Sequence, residues 1–161
     1  MSAFLLSVHV LAAILAIGPV AIAASMFPRA ARLALTAPEH PEKGAAVRIL
    51  HRITRVYAVI GVLVPVFGLA TGASLGVLGD SWLIVSMVLT AAAAALLIGV
   101  ILPGQRRVLR ALTTDADRTG DLVPDRVARR LGMLTGVFNL LWAIVVVLMI
   151  YRPGSTTGVG L

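Results

Sequence analysis

No cysteine occurs in the 161 residues, so disulfides, thiolate metal sites and cysteine nucleophiles are all excluded. Charge is scarce too: 13% of residues are Asp, Glu, Lys or Arg, where a soluble domain carries about 25%. Aromatic residues make up 5%, and lysine occurs once, at Lys43, against thirteen arginines. The scarcest combination is an ionisable group inside an apolar run, and His9 alone lies clearly within one. The buried carboxylates that a proton-coupled transporter needs near the midplane are missing. So is any His/Asp/Glu cluster that would hold the metal of an intramembrane hydrolase.

What the chain has in abundance is apolar length. Hydrophobic residues make up 59%, and they gather in four runs of 21–23 residues at about 3–25, 56–78, 82–103 and 131–151. At about 1.5 Å per residue a helix of that length covers about 31–35 Å, enough for a hydrocarbon core of about 30 Å. The expected fold is all-α membrane, a four-transmembrane-helix bundle forming one domain over residues 1–151. Residues 152–161, rich in Gly, Ser and Thr, are expected to be a flexible tail.

Orientation comes from the basic residues. Thirteen of the fourteen Lys+Arg fall in two stretches, six from Arg29 to Arg55 and seven from Arg106 to Arg130. Those loops carry net +7, while the opposite face sets Arg152 against Asp80. A soluble protein this basic would suggest nucleic acid. Beside membrane spans, the positive-inside rule accounts for the charge without a nucleic-acid partner and places both termini outside the cytoplasm. Arginine in place of lysine, with many alanines, suggests a GC-rich bacterial genome, hence a multi-pass protein of the bacterial inner membrane. Ala21-Ile22-Ala23 resembles a signal-peptide cleavage site, but the positive n-region is missing and Arg29 follows closely, so the first span is read as uncleaved.

Along the chain, Pro19 is expected to kink the first span, and Phe27-Pro28 to close it. Pro38 to Glu42 reads as a turn. The second helix is expected to begin near Ala45, with Arg48, Arg52 and Arg55 on one face and His51 beside them. Gly68/Gly72 and Gly72/Gly76 form two GxxxG pairs, and Ala91 to Ala95 is a second thin surface; both suit close helix packing. Trp82 is expected as an interfacial anchor, Pro103-Gly104 closes the third span, and Asn139 is placed to bond across helices. A faint repeat relates two hairpins: Phe27-Pro28-Arg29 to Leu102-Pro103-Gly104, and Arg48, His51, Arg52 to Arg126, Arg129, Arg130.

Few residues offer chemistry. His9, about six residues inside the outer end of its span, reads as a neutral imidazole bonding a helix carbonyl, a Ser or a headgroup. It reads alternatively as an axial haem ligand or a quinone or substrate contact. His51 is about a membrane thickness away, which rules out a bis-His haem within one protomer; Met87, at a similar depth to His9, is the candidate second ligand. Arg48, Arg52, Arg55, Arg106, Arg107, Arg110, Arg126, Arg129 and Arg130 form a basic belt suited to anionic lipid or an acidic partner. Asp115, Asp117, Asp121 and Asp125 are too dispersed for a calcium loop and read as balancing the arginines.

The order of features resembles a superfamily of small four-helix bacterial membrane proteins. The features are Val8-His9-Val10-Leu11-Ala12-Ala13-Ile14, a basic lead-in to the second helix, Trp82 opening the third and Arg152-Pro153 closing the fourth. The superfamily includes the membrane domain of CopD copper-resistance proteins, HemJ-type protoporphyrinogen oxidases and an uncharacterised group of predicted integral membrane proteins, which the chain resembles most. Likeness to HemJ-type enzymes implies a b-type haem held by His9. It also implies a Lys shortly after Trp82, where this chain has Leu83-Ile84-Val85-Ser86-Met87. Likeness to CopD implies outward Met and His clusters, for which Met1 and His9 stand. The expected function is a membrane protein without an evident catalytic site, an accessory or scaffold subunit binding other subunits or itself, with no cofactor. A haem-binding redox protein using His9 is the alternative.

Overall fold

The computed structural model describes residues 2–37, 40–113 and 124–154, and their regular structure is entirely helical. Helix α1 spans Ser2–Thr36, α2 Pro41–Ile60, α3 Leu63–Leu75, α4 Ser81–Leu96, α5 Leu102–Ala111 and α6 Pro124–Tyr151; a π-helical turn, Leu97–Ile101, joins α4 to α5. Four continuous or near-continuous rods result, and each is long and apolar enough to cross a membrane. The outward faces fit that setting. Phe4 is 72% exposed, Val59 69% and Ile150 71%, a distribution unfavourable in water and suited to a hydrocarbon surrounding.

Helix α1 is the central element, packing along α2, α3 and α6, while α4 packs along α6 and α2 meets α5. Its buried stripe explains this role. Ala16, Val20, Ala23, Ala24, Phe27, Ala31 and Ala34 recur at three- and four-residue intervals, and five of the seven are alanine. Small side chains let three neighbours approach one backbone closely, which is how membrane helices gain contact when lipid is as apolar as leucine. The run Ala91 to Ala95 does not serve that purpose within the chain: only Ala93 is buried, and the other four alanines face outward.

Buried residues stack in three layers. Val77, Trp82 and Leu83 close one end; Val20, Ala93, Leu97, Ile101 and Phe138 fill the middle; Phe27, Ala31, Val47, Val108 and Leu131 close the basic end. Apart from Leu131, the basic-end layer lies among residues that sequence reading places outside the apolar runs. Helix α1 does not stop at Phe27-Pro28 but continues through both Pro19 and Pro28 to Thr36. A proline removes only its own N–H and one carbonyl's partner, and a helix clamped by neighbours tolerates that loss. Likewise α5 carries the third rod through Pro103 and Gly104 to Ala111. Gly104 lies inside a helix because Leu131 of α6 is seated on it: a methyl there would come 2.8 Å from Leu131 Cδ2.

Two irregularities have a proline just after them. Between α2 and α3, Val62 N–H reaches only Val59 (3.2 Å) and Val64 N–H only Gly61 (3.1 Å), so the four-residue ladder lapses. Pro65, one turn on, has no N–H for the Gly61 carbonyl and crowds it. The π-turn Leu97–Ile101 similarly precedes Pro103. Earlier, Pro41 occupies the first turn of α2, four residues before the expected start at Ala45, as suits a residue with no N–H to donate. Of the expected turn there, Pro38 and Glu39 lie outside the described residues.

The ends of the hairpins are built locally. Gly76 adopts φ +70°, and Gly76 N–H to Ala73 with Val77 N–H to Gly72 closes α3 in a Schellman motif. Gly76 is therefore a helix stop, and the Gly72/Gly76 pair is no packing face. Trp82 is 5% exposed and so is not an outward anchor: its indole N–H donates to Asp80 Oδ2 (2.9 Å) and Arg152 lies 5.5 Å over its ring.

Candidate functional site

The polar residues within the spans mostly serve their own helices. Thr54 donates to Leu50, Thr71 to Phe67, Ser86 to Trp82 and Thr90 to Ser86, each bonding a carbonyl of the preceding turn at 2.7–2.9 Å. That arrangement hides hydroxyls in hydrocarbon. Among the described residues no group of three or more His, Asp or Glu is placed to hold a metal ion.

His9 differs from these in that it reaches across helices. Its Nδ1 lies 2.9 Å from the Val64 carbonyl of α3, and its ring lies against Gly68, where a methyl would sit 2.9 Å from Cε1. A neutral ring in this contact must carry its proton on Nδ1, since a carbonyl only accepts; Nε2 then keeps a lone pair. Gly68 thus makes room for an imidazole rather than for a partner helix. Met87 lies on α4, 42% exposed; the contacts observed for His9 are all with α3.

A second cross-helix pair lies toward the basic end. His51 Nδ1 is 2.9 Å from Oε1 of Gln105, which is 1% exposed, and Gln105 Nε2 has no hydrogen-bond partner. His51 therefore belongs to the inward stripe of α2 with Val47 and Thr54, not beside the exposed Arg48, Arg52 and Arg55. Asn139 bridges α6 to α1, donating from Nδ2 to Ser25 Oγ at 3.0 Å.

Two cavities complete the geometry. An apolar one of ≈ 110 Å³ lies where the α2–α3 break faces the end of α4, with Val20, Phe138 and Trp142 among its walls and the exposed Val62 and Ile98 at its rim. The Trp142 Nε1 donor is out of contact with solvent and has no partner. The other is a groove of ≈ 530 Å³ at the basic end, lined by Pro28, Arg29 and Arg32 of α1 and Ala128 and Arg129 of α6. Neither cavity includes His9 among its walls. All nine arginines of the expected belt are exposed: Arg48, Arg52 and Arg55 on α2, Arg106, Arg107 and Arg110 on α5, and Arg126, Arg129 and Arg130 on α6. Asp115, Asp117 and Asp121 lie outside the described residues, as does the Asp125 side chain.

Four apolar rods with this pattern invite comparison with membrane families. A family model described as predicted integral membrane protein (DUF2269) matches residues 3–153, nearly the whole chain. The chain belongs to this family. Membership agrees with the four helices long and apolar enough to cross a membrane, and the protein is an integral, multi-pass membrane protein. No curated protein and no solved structure shows a significant match.

For this family member, sequence reading missed three features: the Gln105–His51 pair, the Val64/Gly68 seat of His9 and the contribution of Arg29 and Arg32 to a groove. Gln105 had a signal, since it interrupts the stripe Ile101, Gln105, Val108 at helical spacing, where an apolar residue would be expected. The other two depend on which helix lies opposite, which spacing within one helix does not encode.

Proposed function

We propose that this protein is a non-catalytic component of a membrane assembly, acting by packing a partner span against α4. The observation that carries this reading is a small-residue surface left unused by the chain's own fold. Ala91, Ala95 and Gly99 follow one another at four-residue spacing, all exposed, with exposed Ala92 beside them. A methyl added at Gly99 would meet nothing within 4 Å. In hydrocarbon, such a strip offers close backbone approach to another helix and little to lipid. A photo-crosslinking amino acid at Ala95 or Gly99 is expected to give a discrete higher-mass adduct in native membranes, and Leu140 on α6 none. Ala91→Leu, which thickens the strip one turn away, is expected to remove the adduct. Only monomer from both α4 positions would count decisively against the proposal.

A second reading, a b-type haem protein of the HemJ kind, has one observation in its favour. The Nδ1 contact with the Val64 carbonyl fixes the His9 tautomer and leaves Nε2 for iron, as axial histidines require. His9 would hold the iron and the haem would supply redox chemistry. A Soret band in purified wild type, lost in His9→Ala, is the expected signature; its absence from wild type ends this reading.

A further inference from the structure

Arg29 and Arg32, three residues apart on α1, meet Arg129 of α6 around the ≈ 530 Å³ groove, whose remaining walls are Pro28 and Ala128. Their depth is informative. Ser25 ends the first apolar run, and Arg29 lies four residues further along a continuous helix, about 6 Å at 1.5 Å per residue. That is within a headgroup layer of about 5–8 Å per side. Toward the membrane interior, glycines on α6 leave a shallow furrow along the α1–α6 seam. Gly132 and Gly136 follow Arg129 on the same face of α6; a methyl at Gly132 would first meet Pro28 at 3.9 Å, and one at Gly136 nothing within 4 Å. Ile22 (64% exposed) on α1 and Met133 (65%) and Leu140 (60%) on α6 border it. The Asn139–Ser25 hydrogen bond ties the two helices together at this level.

We propose that the α1–α6 groove is a specific site for an anionic phospholipid, its phosphate held by Arg29, Arg32 and Arg129 and one acyl chain lying along Gly132 and Gly136. Guanidinium groups match phosphate oxygens in charge and in fork geometry. The furrow selects a lipid over a free anion, because an apolar channel leading away from the charges is of use only to a molecule with a tail. Basic pockets between membrane helices bind such headgroups for the same reason.

The test is a titration of the full chain, purified in mild detergent, with dioleoyl-phosphatidylglycerol and dioleoyl-phosphatidylcholine, followed by native mass spectrometry. Phosphatidylglycerol is expected to bind more tightly. Replacing Arg29, Arg32 and Arg129 together by Gln should weaken it on the order of a hundredfold, at about fivefold per arginine. Arg48→Gln, Arg52→Gln and Arg55→Gln together remove the same charge from the exposed face of α2 and should change it less than about fivefold. Gly136→Leu fills the furrow without altering charge and should weaken phosphatidylglycerol binding several-fold. Equal losses in the two triple variants would overturn the proposal in favour of diffuse attraction. An unchanged affinity in Gly136→Leu would remove the acyl seat. Displacement of the lipid by millimolar inorganic phosphate would overturn the lipid assignment and leave a simple anion site.

Discussion

His9 and Gly68 define each other. The ring has a place because residue 68 has no Cβ, and a methyl there would overlap Cε1 at 2.9 Å. Gly68→Ala is therefore expected to cost about 1–3 kcal/mol, the usual range for overpacking, measured as a loss of thermal stability in detergent. In a His9→Ala background the same change should cost almost nothing, because the obstacle is gone; additive effects would refute the contact. Gln105 makes a parallel case. Gln105→Leu should cost about 1 kcal/mol by stranding His51, and His51→Phe added to it should cost no more, since both polar partners are then removed together. Sequence reading singled out His9 as the one intramembrane ionisable residue and included a helix carbonyl among its partners. It assigned Gly68 to a face for close helix packing, because GxxxG spacing looks the same whether a helix or a ring fills the gap.

At the level of elements, hydropathy located the rods, and the helices run on past the apolar runs. The first apolar run stops at Ser25, yet α1 continues to Thr36; the second run starts at Val56, and its helix, expected to begin near Ala45, begins at Pro41. Hydropathy reports where water begins. Helix ends depend on backbone hydrogen bonds, and the basic-end layer around Phe27, Val47, Val108 and Leu131 sustains those bonds past the apolar runs. Prolines were misread for the same reason, since Pro28 and Pro103 weaken a ladder that packing still holds. Pro65 is different, because the lapse at Gly61-Val62 is open on one side to the cavity. Pro65→Ala is expected to join α2 and α3, making the amides of residues 61–66 slower to exchange with deuterium. Unchanged exchange there would show that something other than the proline holds the break.

Over the whole molecule, the absence of cysteine makes orientation directly measurable. Single-cysteine variants at Gly79 and at Thr113, near opposite ends of the bundle, should label oppositely in intact cells with a membrane-impermeant maleimide. If the positive-inside rule governs, Gly79→Cys is modified and Thr113→Cys is protected until the membrane is opened. The reverse pattern would invert the topology. Orientation is the expectation most strongly signalled in the sequence, because thirteen of fourteen basic residues bear on it together. The basic groove was not legible, because it takes α1 and α6, a hundred residues apart in sequence, to assemble it.

The packed extension at the basic end also sets a distance. From Ser25 to Thr36, α1 runs eleven residues beyond its apolar segment, about 16 Å at 1.5 Å per residue and only slightly less at an ordinary tilt. Beyond a headgroup layer of about 5–8 Å, that leaves the tip about 8–11 Å from the lipid charges, roughly one Debye length at physiological ionic strength. The tip of α1 therefore stands where salt has cut the bilayer's surface potential to roughly a third. A soluble molecule arriving from that side would meet a bilayer field already weakened by salt, with the exposed arginines of α2, α5 and α6 sharing in what steers it.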